Sequence, residues 1–233
     1  MEVKLSNLHG WRKNAPEGVW MKQGIIFDMD GTLWDSAEGV ANSWSKVVAE
    51  EYDEGRVITA EEIQSVMGKT MDVIASVFFP ELGKEAQEAL LDHCCKEENA
   101  YLQEHGGRLY EDLEETLRKL CERYPLYIVS NCQSGYIEAF LAHYGFEAYF
   151  EDIECFGNNG QKKGENIRNV VKRNGLTHAI YVGDIQGDYD ASMEAGVKFI
   201  HAAYGFGTVA QQVPSIRKFS ELPEAVEKVW DGQ

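Results

Sequence analysis

The chain has 233 residues, 44% of them hydrophobic and 26% charged, with a formal net charge of −17 at pH 7. Such a length supports one sizeable core, or a core with a smaller inserted unit. The acidic balance argues against nucleic acid and anionic membrane surfaces as partners, since both are bound through basic patches. The five cysteines, with Cys94 and Cys95 adjacent and no CxxC pair, suggest neither a disulfide framework nor a zinc site and fit reduced thiols in a cytoplasm. Residues 1–20 contain no apolar stretch of signal-peptide length, and no run reaches the ~18 apolar residues of a membrane span. They read as an N-terminal extension, an upstream-start segment or a poorly ordered lead, and a cytoplasmic protein is expected.

The first convincing strand is 24–27, ending on Asp28-Met29-Asp30-Gly31-Thr32. A helix begins near Asp35, capped by Asp35 or Ser36. From there to His105 the pattern is helical throughout, with a capping box at Thr59 and Glu62. After Gly106 and Gly107 the texture changes to alternation: helix 110–123, strand 126–130, helix 134–144, a short strand 150–155, helix 164–174, strand 179–184, helix 188–195, strand 198–203 and a closing helix 222–230. Strands alternating with helices predict an α/β fold, a Rossmann-like parallel sheet with helices on both faces, here carrying an inserted all-helical block.

In such sheets ligands gather at the carboxyl ends of the strands. Three predicted strands end in polar groups: Asp28 with Asp30, Ser130 with Asn131, and Asp184. A buried strand has no packing reason to finish on carboxylates. Oxygen ligands of this kind suit Mg²⁺, a hard cation usually shared with a phosphate, and carboxylates packed together require a cation because they repel one another. An aspartate also serves as a nucleophile towards phosphorus, given a second acid for proton transfer, a lysine to neutralise charge and a hydroxyl to hold the phosphoryl oxygens.

The run Asp28 to Thr32 resembles the DxDGT signature of the haloacid dehalogenase-like hydrolase superfamily. Three further pieces follow in that superfamily's order: Ser130 and Asn131 at a strand end, a lysine in GQKKGENI, and Gly183, Asp184 and Asp188 in a GDxxxD spacing. DGTLWDS, the helical insert and KFIHAAYGFG are similar to the phosphoglycolate phosphatase and β-phosphoglucomutase branch. The resemblance covers residue 22 onwards and implies a catalytic core over 21–34 and 107–233, with a helical cap domain over 35–106. It implies Asp28 as nucleophile and Asp30 as general acid/base, the latter also binding metal through its backbone carbonyl. Thr32 would support the loop at the substrate, and Ser130 and Asn131 would bind the phosphoryl oxygens. Asp184 would ligate Mg²⁺, with Asp188 a ligand or the partner of one. The lysine is Lys163 or Lys162, Lys163 being favoured because it stands at a helix N-terminus that already attracts anions. Lys69, beside Gly68 at a break between cap helices, is placed to meet an anionic substrate or to be an ordinary loop lysine.

The expected function is Mg²⁺-dependent hydrolysis of a small phosphorylated metabolite, phosphoglycolate- or sugar-phosphate-like, through an aspartyl-phosphate. The alternatives are a β-phosphoglucomutase-type transfer, for which Arg56 and Lys69 are the foremost cap cations, and a non-catalytic binding protein of the same fold. An acid at position 30 argues against dehalogenation. MGKT at 67–70 fails as a P-loop because Ile63 stands where the first glycine belongs, and no GxGxxG follows a strand.

Overall fold

A computed structural model describes residues 11–13 and 20–232. Of the expected N-terminal extension, 1–10 and 14–19 lie outside the described residues. The elements, in chain order, are β1 (Trp11–Lys13), β2 (Trp20–Phe27), β3 (Trp34–Asp35), α1 (Ala37–Glu51), α2 (Ala60–Val66), α3 (Met71–Phe78) and α4 (Lys84–His105). They continue with β4 (Arg108–Leu109), α5 (Leu113–Cys121), β5 (Leu126–Ser130), α6 (Tyr136–Tyr144), β6 (Phe150–Cys155), α7 (Phe156–Asn159) and α8 (Lys163–Arg173). The chain closes with β7 (His178–Gly183), α9 (Gln186–Ala195), β8 (Lys198–Ala202), β9 (Ser215–Ile216) and α10 (Leu222–Trp230).

Six parallel strands run in the order β6-β5-β2-β7-β8-β9, and β1 adds antiparallel to the start of β2. β2 therefore begins at Trp20, earlier than the run 24–27 suggests, because pairing with β1 holds Trp20, Met21 and Lys22 extended. Its alternation sorts the core into two layers. Ile25 and Phe27 face one side with Leu126, Ile128, Ile180 and Val182, against α5, α6 and α10. Ile26 faces the other with Tyr127, Val129 and Tyr181, against Ile167 and Val170 of α8 and Ala191 of α9. Burial on both faces explains why the runs 25–27, 126–129 and 179–182 are apolar throughout.

Between β2 and β5 the chain makes two short strands and five helices, four of them between β3 and β4. The capping box at α2 forms: Thr59 Oγ1 accepts from the Glu62 amide, and Glu62 Oε2 accepts from the Thr59 amide at 2.9 Å. β3 and β4, two residues each, pair antiparallel, so the chain enters and leaves the helical insert side by side. Arg108 donates to Asp35 across this ribbon at 2.8 Å. The helix expected over 110–123 is shorter, because residues 108–109 are drawn into β4 and Asp112 takes a left-handed turn at φ 61°. Among the described residues, no helix is long and apolar enough to cross a membrane.

Candidate active site

The central strand β2 ends at Phe27, so Asp28 emerges at the carboxyl edge of the sheet, where its amide donates to the Val182 carbonyl of β7. β7 ends one residue before Asp184. This registration brings together acids that are far apart in sequence: Asp28, Asp184 and Asp188 each offer a carboxylate oxygen, all within 4.8 Å of one another, and all three residues are buried. Gly31 makes the fit possible. Its φ is +79°, and a Cβ there would overlap the Asp184 carboxylate, so the loop after Asp28 needs a residue without a side chain.

Lys163 enters this cluster from the first turn of α8 and is itself only 4% exposed. Its Nζ donates to Asp28 Oδ1 at 2.9 Å and to Asp188 Oδ1 at 2.6 Å. Lys162, one residue earlier at the helix boundary, is exposed, so the geometry selects Lys163. The second Asp188 oxygen accepts from the amides of Asp184 and Ile185, at 3.0 and 3.2 Å. Asp188 is thereby committed to orienting the lysine and the Asp184 loop. Asp184 Oδ2 accepts from the Phe206 amide at 2.7 Å, while buried Asp184 Oδ1 has no hydrogen-bond partner among the described residues. Burial and the Asp188 charge push Asp28 up to about 7, against the opposing pull of Lys163. Burial with the charges of Asp188 and Asp28 pushes Asp184 up to about 8. One lysine does not balance three packed acids, and a buried carboxylate oxygen left without a hydrogen bond among the described residues fits a divalent cation.

Asp30 stands apart from this trio. Its Oδ1 accepts from the Tyr136 hydroxyl at 2.6 Å and the Ser36 hydroxyl at 2.8 Å. Burial raises its pKa, opposed by those two hydrogen bonds. Ser36 thus does not cap α1 with its side chain; the Ala37 amide is met by Asp35 Oδ1. Asp30, Ser130, Asn131 and Tyr136 form the core side of a cavity of about 50 Å³ beneath the helical insert, which contributes Val40, Trp44, Ile63, Lys69 and Glu98 among others. Thr32 is fully buried behind the loop, its carbonyl accepting from the Tyr204 hydroxyl and its own hydroxyl without a partner among the described residues. Trp34 also lies inside, packed edge-on against Tyr136 and Phe140.

The model of the haloacid dehalogenase-like hydrolase family matches residues 25–202, the span from β2 to β8 that builds this site. The chain belongs to that family. It is 27% identical over 221 residues to a phosphoglycolate phosphatase of Rhodobacter capsulatus, covering 89% of this chain and 98% of the relative. A 5'-nucleotidase of Pseudomonas aeruginosa is 26% identical over 195 residues, 79% of this chain and 84% of its own length. Among solved structures, a haloacid dehalogenase-like family hydrolase of Streptococcus pneumoniae superposes with a TM-score of 0.74 at 23% identity, over 87% of this chain and 97% of the other. That likeness establishes the shared fold.

Within this hydrolase fold the insert touches the core through contacts that sequence reasoning did not find. Asn131 Nδ2 donates to the Gly68 carbonyl at 2.8 Å, so a residue at the end of β5 holds the turn between α2 and α3. Gly68 has φ +81°, and a Cβ there would strike the Ile185 side chain. Ile185 is accordingly the apolar seat on which this turn rests. Gly68→Ala is expected to lower kcat/KM about 10–100-fold by displacing the turn from its seat, at a stability cost of only about 1–2 kcal/mol. Steady-state kinetics beside a denaturation curve checks this; full activity would show that the turn need not seat.

Proposed function

We propose that the protein is a Mg²⁺-dependent phosphatase that hydrolyses a small phosphorylated metabolite through a phosphoryl group carried on Asp28. One observation carries the reading: a buried strand-end aspartate is held by a buried lysine beside two further acids, one of which keeps an unpaired oxygen. Relatives named as phosphoglycolate phosphatase and 5'-nucleotidase support it. The reading carries with it a division into a core over 21–34 and 107–233 and a cap over 35–106.

Asp28, Asp184 and the Asp30 carbonyl are the groups that would hold the ion, with Asp188 bracing Asp184 and Lys163. When bound, Mg²⁺ neutralises charge on the phosphoryl oxygens. In the first step a carboxylate oxygen of Asp28 forms a bond to phosphorus as the ester P–O bond breaks. Asp30, whose Oδ1 is taken by two hydroxyls, gives a proton from Oδ2 to the departing alcohol. In the second step Asp30 takes a proton from water, whose oxygen attacks phosphorus and frees Asp28 and phosphate. Lys163 offsets the charge on Asp28 throughout, and Ser130 holds the phosphoryl oxygens. Asn131 reports whether the cap turn is seated, through its bond to Gly68.

Hydrolysis is favoured over transfer to a sugar because Arg56, a candidate cap cation for a second phosphate, pairs with Glu62 at 2.5 Å and lies outside the cavity lining. The test is phosphate release from a panel of phosphorylated metabolites with Mg²⁺ or EDTA, together with thermal unfolding in both. Release that requires Mg²⁺ is expected, with a higher Tm in Mg²⁺ because the ion binds only the folded acids. Release unaffected by EDTA, or no change in Tm, would overturn the metal assignment.

A further inference from the structure

The cavity beneath the cap holds an acid for which the proposed chemistry has no use. Glu98, on α4, is 4% exposed and lines the same space as Asp30. Its Oε2 accepts from Trp44 Nε1 at 2.5 Å and its Oε1 from Gln133 Nε2 at 3.0 Å. Both partners are neutral, and among the described residues no lysine, arginine or histidine pairs with it. Burial and the charge of Asp30 push Glu98 up to about 7, as expected of an acid without a counter-cation. Two neutral donors leave each carboxylate oxygen with capacity for another hydrogen bond. The rest of the cap wall is apolar, with Val40, Trp44, Ile63 and Ile74, and its one cation among the described residues, Lys69, is exposed.

A leaving group protonated by Asp30 must extend into this space. It meets an apolar wall, an acceptor-rich acid and no buried positive charge. Resting on the phosphatase reading, we propose that Glu98 is a specificity-determining residue that selects phosphate monoesters of small alcohols bearing a hydrogen-bond donor, hydroxyl or ammonium, and rejects those bearing a carboxylate. At pH 8, above the value of about 7 to which Glu98 is pushed, a carboxylate here would face its charge at short range in a water-poor cavity, where like charges repel strongly. A hydroxyl or ammonium would instead complete the acid's hydrogen bonding. The consequence departs from the curated relatives: 2-phosphoglycolate should be a poor substrate.

The experiment measures kcat/KM at pH 8 with Mg²⁺ for four esters of similar size: 2-phosphoglycolate, propyl phosphate, glycerol 1-phosphate and O-phosphoethanolamine. Wild type, Glu98→Gln and Asp28→Asn are compared. Wild type is expected to favour at least one of the two donor-bearing esters over 2-phosphoglycolate by at least about tenfold, and the winner separates hydroxyl from ammonium recognition. Glu98→Gln, which keeps shape and an acceptor but loses the charge, should shrink that ratio by about tenfold or more. Preference of wild type for 2-phosphoglycolate, or a ratio unmoved by Glu98→Gln, would overturn the inference while Mg²⁺-dependent, Asp28-dependent release still upheld the phosphatase. Silence on all four esters and on the wider metabolite panel would overturn both.

Discussion

Replacing Asp28 with Asn is expected to remove at least about 10⁴-fold of kcat, the scale on which loss of a nucleophile acts, while leaving the fold intact. The amide keeps the shape and an acceptor for Lys163, which meets Asp28 Oδ1 at 2.9 Å, but it cannot form the bond to phosphorus. Stability should not suffer. Burial and the Asp188 charge already push Asp28 up to about 7, so the charged form is disfavoured by folding and a neutral amide removes that penalty. The variant should therefore unfold in EDTA at the wild-type temperature or higher, and gain less from Mg²⁺. Phosphate release within tenfold of wild type in a clean preparation would exclude Asp28 as nucleophile.

Lys163→Met should be the most destabilising change in the site. The lysine is buried and bridges Asp28 and Asp188. Removing one partner of a buried ionic cluster costs about 3–5 kcal/mol, because the remaining charges have neither water nor a counter-ion. The pH dependence carries the signature. Lys163 pulls the Asp28 pKa down, so without it that pKa lies above about 7. The deficit against wild type then grows as pH rises through and beyond about 7, and shrinks below it, where Asp28 is protonated in both proteins. Denaturant unfolding in EDTA between pH 5.5 and 8.5 reads this directly. A deficit independent of pH would mean that Lys163 contributes packing rather than charge.

Acids that end apolar strands announced themselves in the sequence, since neither burial nor alternation explains Asp28 or Asp184 there. Which of two neighbouring lysines reaches them was not decided by composition. It depends on where α8 starts, and the helix begins at Lys163, leaving Lys162 at the boundary facing solvent. The partners of Asp30 were hidden for another reason. Tyr136 lies 106 residues away, and Ser36 reads locally as a helix cap although its hydroxyl serves Asp30 instead. Glu98 looks like one more charge in the polar run KEENAYLQEH; only the meeting of α4 with α1 and with the end of β5 reveals it as buried. β3 and β4 are too short to show the two-residue alternation that marks a strand.

That last pair has a consequence for how such a protein can change. With Trp34 opposite Leu109 and Asp35 opposite Arg108, the two ends of the insert lie about 4.5–5.5 Å apart, the spacing of antiparallel neighbours. The continuity of the sheet asks nothing of the intervening chain except that its ends meet. The four helices are, in this sense, an exchangeable cassette: a different set could be spliced at the ribbon without re-registering a single parallel strand, so the repertoire of alcohols accepted can diverge while the chemistry on phosphorus stands still.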